Sequence, residues 1–239
     1  MPGLGTLINC ACILFGGILG MLFGRFIKPH IQDALTKVCG ISVLFIGISG
    51  ALEGMLQVST ERVCSVNGLL LVICLALGTL VGELINIEGA FERLGAWLKE
   101  KTGNSNDAGF INAFVSASLT VCIGAMAIVG ALQDGLAGNY TTLATKGVLD
   151  LIIILVMTCA LGKGCIFSAI PVAVLQGGVT LLSGLLRGVM TDAALSNLSM
   201  VGSVLIFCVG LNLIWDRKVR VANMLPAIVF AVVAAFLPF

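Results

Sequence analysis

The sequence predicts an all-α fold, a polytopic transmembrane helix bundle of about eight spans forming one domain over residues 1–239. Hydrophobic types make up 59% of the chain and charged types only 10%. A soluble domain carries about 25% charged residues to cover its surface against water, so most of this surface must meet lipid. A mean hydropathy of +1.13 agrees. The apolar residues are also gathered into runs close to the roughly 20 residues that a hydrocarbon core about 30 Å thick requires of one helix.

Eight such runs lie between the charges, at 5–24, 38–57, 65–86, 109–132, 147–163, 166–186, 198–215 and 221–239. Residues 1–24 lack a basic start, and Arg25 follows the apolar run, so this reads as a retained first span and not a signal peptide. After the third span, Ile87, Ala90, Phe91, Leu94, Trp97 and Leu98 recur at helical spacing, with Glu88, Glu92, Lys99 and Glu100 elsewhere around the helix. That pattern predicts an amphipathic helix at 87–101 lying in the membrane interface, with a charged loop as the plainer alternative. GNSND at 103–107 is turn material. Only Gly162-Lys163-Gly164 separates the fifth span from the sixth, and Pro171 follows, so the helix is expected to break there. If that pair were one broken or re-entrant helix, the count would fall to seven.

Positive residues concentrate in cytoplasmic loops. With eight spans, one set of loops holds Arg25, Lys28, Lys37, Arg93, Lys99, Lys101, Lys163, Arg217, Lys218 and Arg220, and the other holds Arg62, Lys146 and Arg187. This bias predicts both termini outside. The net charge of +1 gives no reason to expect a nucleic-acid partner. The nine cysteines lie mostly in apolar runs without CxxC or Cys/His metal spacing, which predicts packing residues and no metal site.

Glycines at Gly16/Gly20/Gly24, Gly50/Gly54, Gly78/Gly82 and Gly184/Gly188 predict close helix contacts within the chain, with a homo-oligomeric seam as the alternative. Ile48-x-Gly-Ala-Leu-Glu53 echoes Ile128-x-Gly-Ala-Leu-Gln133, and Leu71-Val72-x-x-x-Ala76-Leu77-Gly78 echoes Leu155-Val156-x-x-x-Ala160-Leu161-Gly162. These pairs suggest parallel repeat units near 38–86 and 118–163, an arrangement common in secondary transporters.

Charges at membrane depth cost at least about 2.5–3.5 kcal/mol and normally face a cavity or a partner. Glu83, with Thr79 and Asn86 on its helix face, is the first candidate for a solute or ion pathway, against a simpler reading as a helix-end charge. Asp150 opens an apolar run with Thr158 two turns on. Glu53, with its repeat counterpart Gln133 and the adjacent Asp134, would gather at the outer ends of the second and fourth spans. Asn112, Ser116, Thr120 and Gly124 make a polar stripe down the fourth span, and Gln176 begins a similar one on the sixth. Lys163 sits at the expected break, where freed backbone groups can bind ions or anionic substrates.

Gly5-Thr6-Leu7-Ile8-Asn9, Phe15-Gly16-Gly17-x-x-Gly20, Gly47-x-x-Gly50-Ala51-Leu52-Glu53 and Val129-Gly130-Ala131-Leu132-Gln133-Asp134-Gly135 together resemble the YdfK/YqgA-like family of bacterial inner-membrane proteins, domain of unknown function 554. The resemblance spans most of the chain. It implies a multi-pass protein of the bacterial cytoplasmic membrane and carries over no substrate or catalytic residue.

The expected function is transport of a small solute or ion, with the lipid bilayer and that solute as partners and no cofactor. An oligomeric channel lined by the same stripes is the alternative, and a non-transporting membrane protein a further one. No HExxH, GxSxG or P-loop occurs, and His30, the one histidine, lies in a charged loop, so an enzyme is not expected.

Overall fold

A computed structural model describes residues 2–58, 62–215 and 219–236. The chain runs through α1 (Leu4–Gly24), α2 (Pro29–Met55), β1 (Leu56–Val58), β2 (Val63–Ser65), α3 (Gly68–Ile85), α4 (Ile87–Lys101), α5 (Phe110–Cys122), α6 (Ala125–Ala137) and α7 (Thr141–Leu161). A 3-10 segment (Lys163–Ser168) then leads to α8 (Ala169–Leu181), α9 (Ser183–Leu186), α10 (Asp192–Ile214), α11 (Val221–Met224) and α12 (Pro226–Ala234).

Local chemistry sets several boundaries. Pro29 opens α2, where its missing N–H is not needed. Asn86 takes a left-handed conformation (φ 56°) that ends α3, and its side chain accepts a hydrogen bond from the Gly89 N–H to cap α4. Thr191 caps α10 through the Ala194 N–H, beside Asp192 in the first turn. Pro171 falls in the first turn of α8, where proline is tolerated, so the break lies at Gly162 (φ 101°). The short connection between the second and third spans is a hairpin, with Gln57 opposite Cys64.

Six of these segments are long and apolar enough to cross a membrane. The fourth span does not form the single helix expected at 109–132. It is α5 and α6, bent by 61° at a break. Gly124 (φ 142°, ψ 148°) is the reason, since this extended left-handed-side backbone interrupts the hydrogen-bond ladder and suits glycine.

Glycine contacts give the directions of the helices. On α1 and α7, Gly16 meets the Leu151 carbonyl and Gly20 the Leu155 carbonyl, so the two run parallel. Gly47 faces Phe207 and Gly54 faces Met200, so α2 and α10 are antiparallel. Gly78 against Ala227 and Gly82 against Asn223 make α3 antiparallel to α11–α12. Thr180 bonds the Ala131 carbonyl and Gly135 packs on Ser183, so α6 and α8 are parallel. With each connection reversing the chain, α7 can run parallel to α1 only if α5 and α6 together make one pass. The described residues thus hold six long spans, or seven with α5–α6 as one, where about eight were expected; the shorter apolar segment Val221–Ala234 packs against α3 but falls below the length of a full span. Arg217, Lys218 and residues 237–239 of the last expected span lie outside the described residues.

The glycine pairs in α1, α2 and α3 therefore serve contacts within the chain, whereas Gly184 and Gly188 have no neighbour within 4 Å of a built Cβ. Two groups of helices emerge. One comprises α1, α5–α6, α7, the 3-10 segment and α8; the other comprises α2, α3 and α10–α12, with α4 bridging to α5. Large apolar side chains such as Phe15, Phe45, Leu80, Val174 and Val229 point outward, as a lipid-facing surface requires. The second repeat echo does not hold in space: Leu71–Gly78 starts near the beginning of α3, but Leu155–Gly162 runs off the far end of α7. Short motifs drawn from Gly, Ala, Leu and Val match without sharing a position.

Candidate functional site

Each span of the first group turns a polar residue inward. Lys146 and Asp150 stand one helical turn apart on α7, and the ammonium bridges both carboxylate oxygens at 2.7 and 2.6 Å. Their side chains are 9% and 4% exposed. Asp150 lies nine residues after Thr141, about 14 Å along a helix of about 31 Å and so close to mid-depth. Asn9 of α1 is fully buried and faces Asp150, its backbone against Gly147. Its amide approaches the Asp150 carboxylate without closing a well-formed hydrogen bond.

The other spans continue this interior. Ser118 on α5 is fully buried with an unbonded hydroxyl, and Asn112 has a buried, unbonded Oδ1. Ser116 and Thr120 are buried, but the Thr120 hydroxyl bonds the Ser116 carbonyl of its own helix. Gln176 on α8 is fully buried with both amide atoms unbonded, and so is the hydroxyl of Ser168 just before it. Buried polar groups are nearly always satisfied, so this concentration makes the interior of the first helix group the candidate site. Gly124, expected to extend the α5 stripe, instead sits at the break, where helix ends free backbone groups.

Other candidates fall elsewhere. Glu83 and Asn86 are not in the interior; Arg220 bonds Glu83 at 2.6 Å and Asn86 at 3.1 Å. The side chains of Arg220 and Glu83 are 55% and 40% exposed, so this is a helix-end ion pair. Glu53 is exposed at the end of α2. Asp134 is fully buried and accepts the N–H groups of Gly3 and Gly5 at 3.1 and 2.9 Å, placing a carboxylate at the start of α1 where free N–H groups attract it. Gln133 is exposed and accepts the Thr142 hydroxyl, tying α6 to α7. Glu88, expected on the polar face of α4, is buried and accepts the Ala222 N–H at the start of α11.

Lys163 lines a polar cavity of about 420 Å³ at the basic-side ends of α1 and α7, with Arg25, Gln32, Asp107 and Thr158. An apolar cavity of about 430 Å³ lies where the two groups meet, walled by Phe91 and Leu94 of α4, the break at Ile123–Gly124, and Pro171 and Val174 of α8. No cluster of His, Cys, Asp or Glu among the described residues could hold a metal ion. All nine cysteines are free, and Cys10, Cys159 and Cys165 donate to carbonyls of neighbouring segments.

Lys146, Asn9, Ser118 and Ser168 belong to this interior and are absent from the sequence expectation. Lys146 was placed in a loop, because the fifth span was expected to start one residue later; its i,i+4 spacing from Asp150 was the available signal. Asn9 stands alone in an apolar run, and a lone amide there does not reveal its partner.

A family model described as "Protein of unknown function (DUF554)" matches residues 4–236. "Uncharacterized membrane protein YdfK" of Bacillus subtilis is 29% identical over 232 residues, covering 97% of this chain and 95% of that protein. "Uncharacterized protein YqgA" of Escherichia coli is 26% identical over 232 residues, covering 95% and 94%. No solved structure matches.

Proposed function

This chain belongs to the DUF554 family of membrane proteins, and from that premise we propose that it is a secondary transporter of a small solute or ion, with its site at the buried Lys146–Asp150 pair. The observation that carries this reading is a bidentate ion pair near mid-depth, beside the buried amide of Asn9, in the helix group that contains the broken span α5–α6. Ionisable groups inside a membrane are costly and mark substrate pathways. Transporters set such groups next to discontinuous helices near the midplane. One turn further along each helix, Ile13 and Ile154 are fully buried, and an apolar layer of this kind favours alternating access over an open pore. The excess of lysine and arginine in the loops on the side bearing Arg25 and Lys163 supports reading that side as the bacterial cytoplasm, with the N-terminus outside.

The test is a thermal-shift screen of purified protein against inorganic ions, amino acids and small acids. It is repeated on the neutral double variant Lys146→Met/Asp150→Leu, followed by uptake into proteoliposomes. A ligand that stabilises the wild type, not the double variant, and accumulates in wild-type vesicles is expected. Equal stabilisation of both proteins would reject this site.

A further inference from the structure

The polar cavity at the basic-side ends of α1 and α7 has a composition that the buried ion pair does not account for. Arg25 and Lys163 both line it, and neither closes an ion pair among the described residues. The acid in its wall, Asp107, already accepts the Gly109 N–H through Oδ1. Gln32 is also engaged, its amide donating to the Gly24 and Ile27 carbonyls. At its inner end Thr158 is buried, and its hydroxyl lies beside the Cys165 thiol without closing a well-formed hydrogen bond. Glycines 20, 24 and 162 also line the wall, with Gly20 closed against α7 at the Leu155 carbonyl and Thr158.

We propose that this cavity binds an anionic phosphoryl or carboxylate group, held by Arg25 and Lys163 with the Thr158 hydroxyl as an inner contact. Arg25 and Lys163 outnumber the one carboxylate in the wall, Asp107, so the lining carries a net positive charge that an anion offsets, and charge-assisted contacts to such a group are strong. The cavity volume, about 420 Å³, is in the range of small-ligand sites. Thr158 is two turns from Asp150 on α7, with the fully buried Ile154 between them. As the inner mouth of a transport path the cavity rests on the reading above, and it then names the solute class as a small anion. As an anion site it stands alone.

The experiment uses the full chain in neutral phosphatidylcholine nanodiscs and measures equilibrium binding of radiolabelled inorganic phosphate. Wild type is expected to bind saturably. Arg25→Gln and Lys163→Gln should each weaken binding roughly tenfold or more, as loss of a charged contact implies. Arg25→Lys should retain most of it, and Glu83→Gln, remote from the cavity, should bind as wild type. Monodisperse size-exclusion profiles establish that the variants fold. A parallel arm adds phosphatidylglycerol and follows retained lipid by native mass spectrometry. If phosphate does not bind but that lipid is retained by wild type and lost from both neutral variants, the anion is a lipid headgroup and the site holds. If wild type binds neither, or both neutral variants bind as it does, the proposal is overturned. That failure leaves the Lys146–Asp150 test untouched, because it turns on different residues.

Discussion

At the residue scale, Glu83 and Asp150 both face basic partners and differ in what surrounds them. Glu83 reaches Arg220 across partly exposed side chains, where such a pair contributes about 0–1 kcal/mol. Asp150 holds Lys146 in an interior that water does not reach. Removing one partner of a buried pair strands the other charge and costs about 3–5 kcal/mol, whereas replacing both with apolar groups is often neutral. Asp150→Asn should therefore lower the thermal midpoint sharply in detergent, and Lys146→Met/Asp150→Leu should recover most of the loss. If Asp150→Asn melts within a degree of wild type, the pair is not buried as described. The charge and helical spacing of Lys146 and Asp150 were visible in the chain. Their burial was not, because a span edge read from hydropathy moves by a turn when a lysine is neutralised by its own helix.

At the element scale, glycine placement separates packed helix faces from open ones. A Cβ at Gly82 of α3 would overlap the Asn223 carbonyl of α11, and backbone cannot step aside as a side chain can. Nothing lies within 4 Å of a Cβ at Gly177 of α8. Gly82→Ala should cost about 1–3 kcal/mol through overpacking, while Gly177→Ala should be neutral or slightly stabilising through helix propensity. Thermal unfolding of the two variants checks this, and equal behaviour would reject the α3–α11 contact. The interfacial helix α4 was legible from its 3.6-residue periodicity. The break at Gly124 was not, since glycines are spread through nearly every span and only the backbone shows which one has left the helix.

At the scale of the whole molecule, the first three spans alternate, which puts the β1–β2 hairpin between α2 and α3 on the side opposite the loop that carries Arg25 and Lys28. Cys64 on that hairpin is exposed, while the other eight cysteines are buried or half-buried in helices or the 3-10 segment. A membrane-impermeant maleimide applied to intact cells should therefore label one thiol, and Cys64→Ser should abolish labelling. Labelling only after the membrane is opened would reverse the orientation, and labelling of several thiols would reject the packing.

The chain alone determined the solvent, the helical class, most span positions and the charge bias between the two sides. These depend on composition and on contacts within a few residues, and a 20-residue apolar run means much the same in any fold. Which polar groups are interior was decided by tertiary structure. Asp134 became a cap for α1, 129 residues from Gly5, and Glu83 became a helix-end partner of Arg220, 137 residues away. Asp150 entered the core when α1 packed parallel to α7. A charge is paid for by what lies next to it in space, and no local pattern of residues encodes a neighbour more than a hundred positions distant.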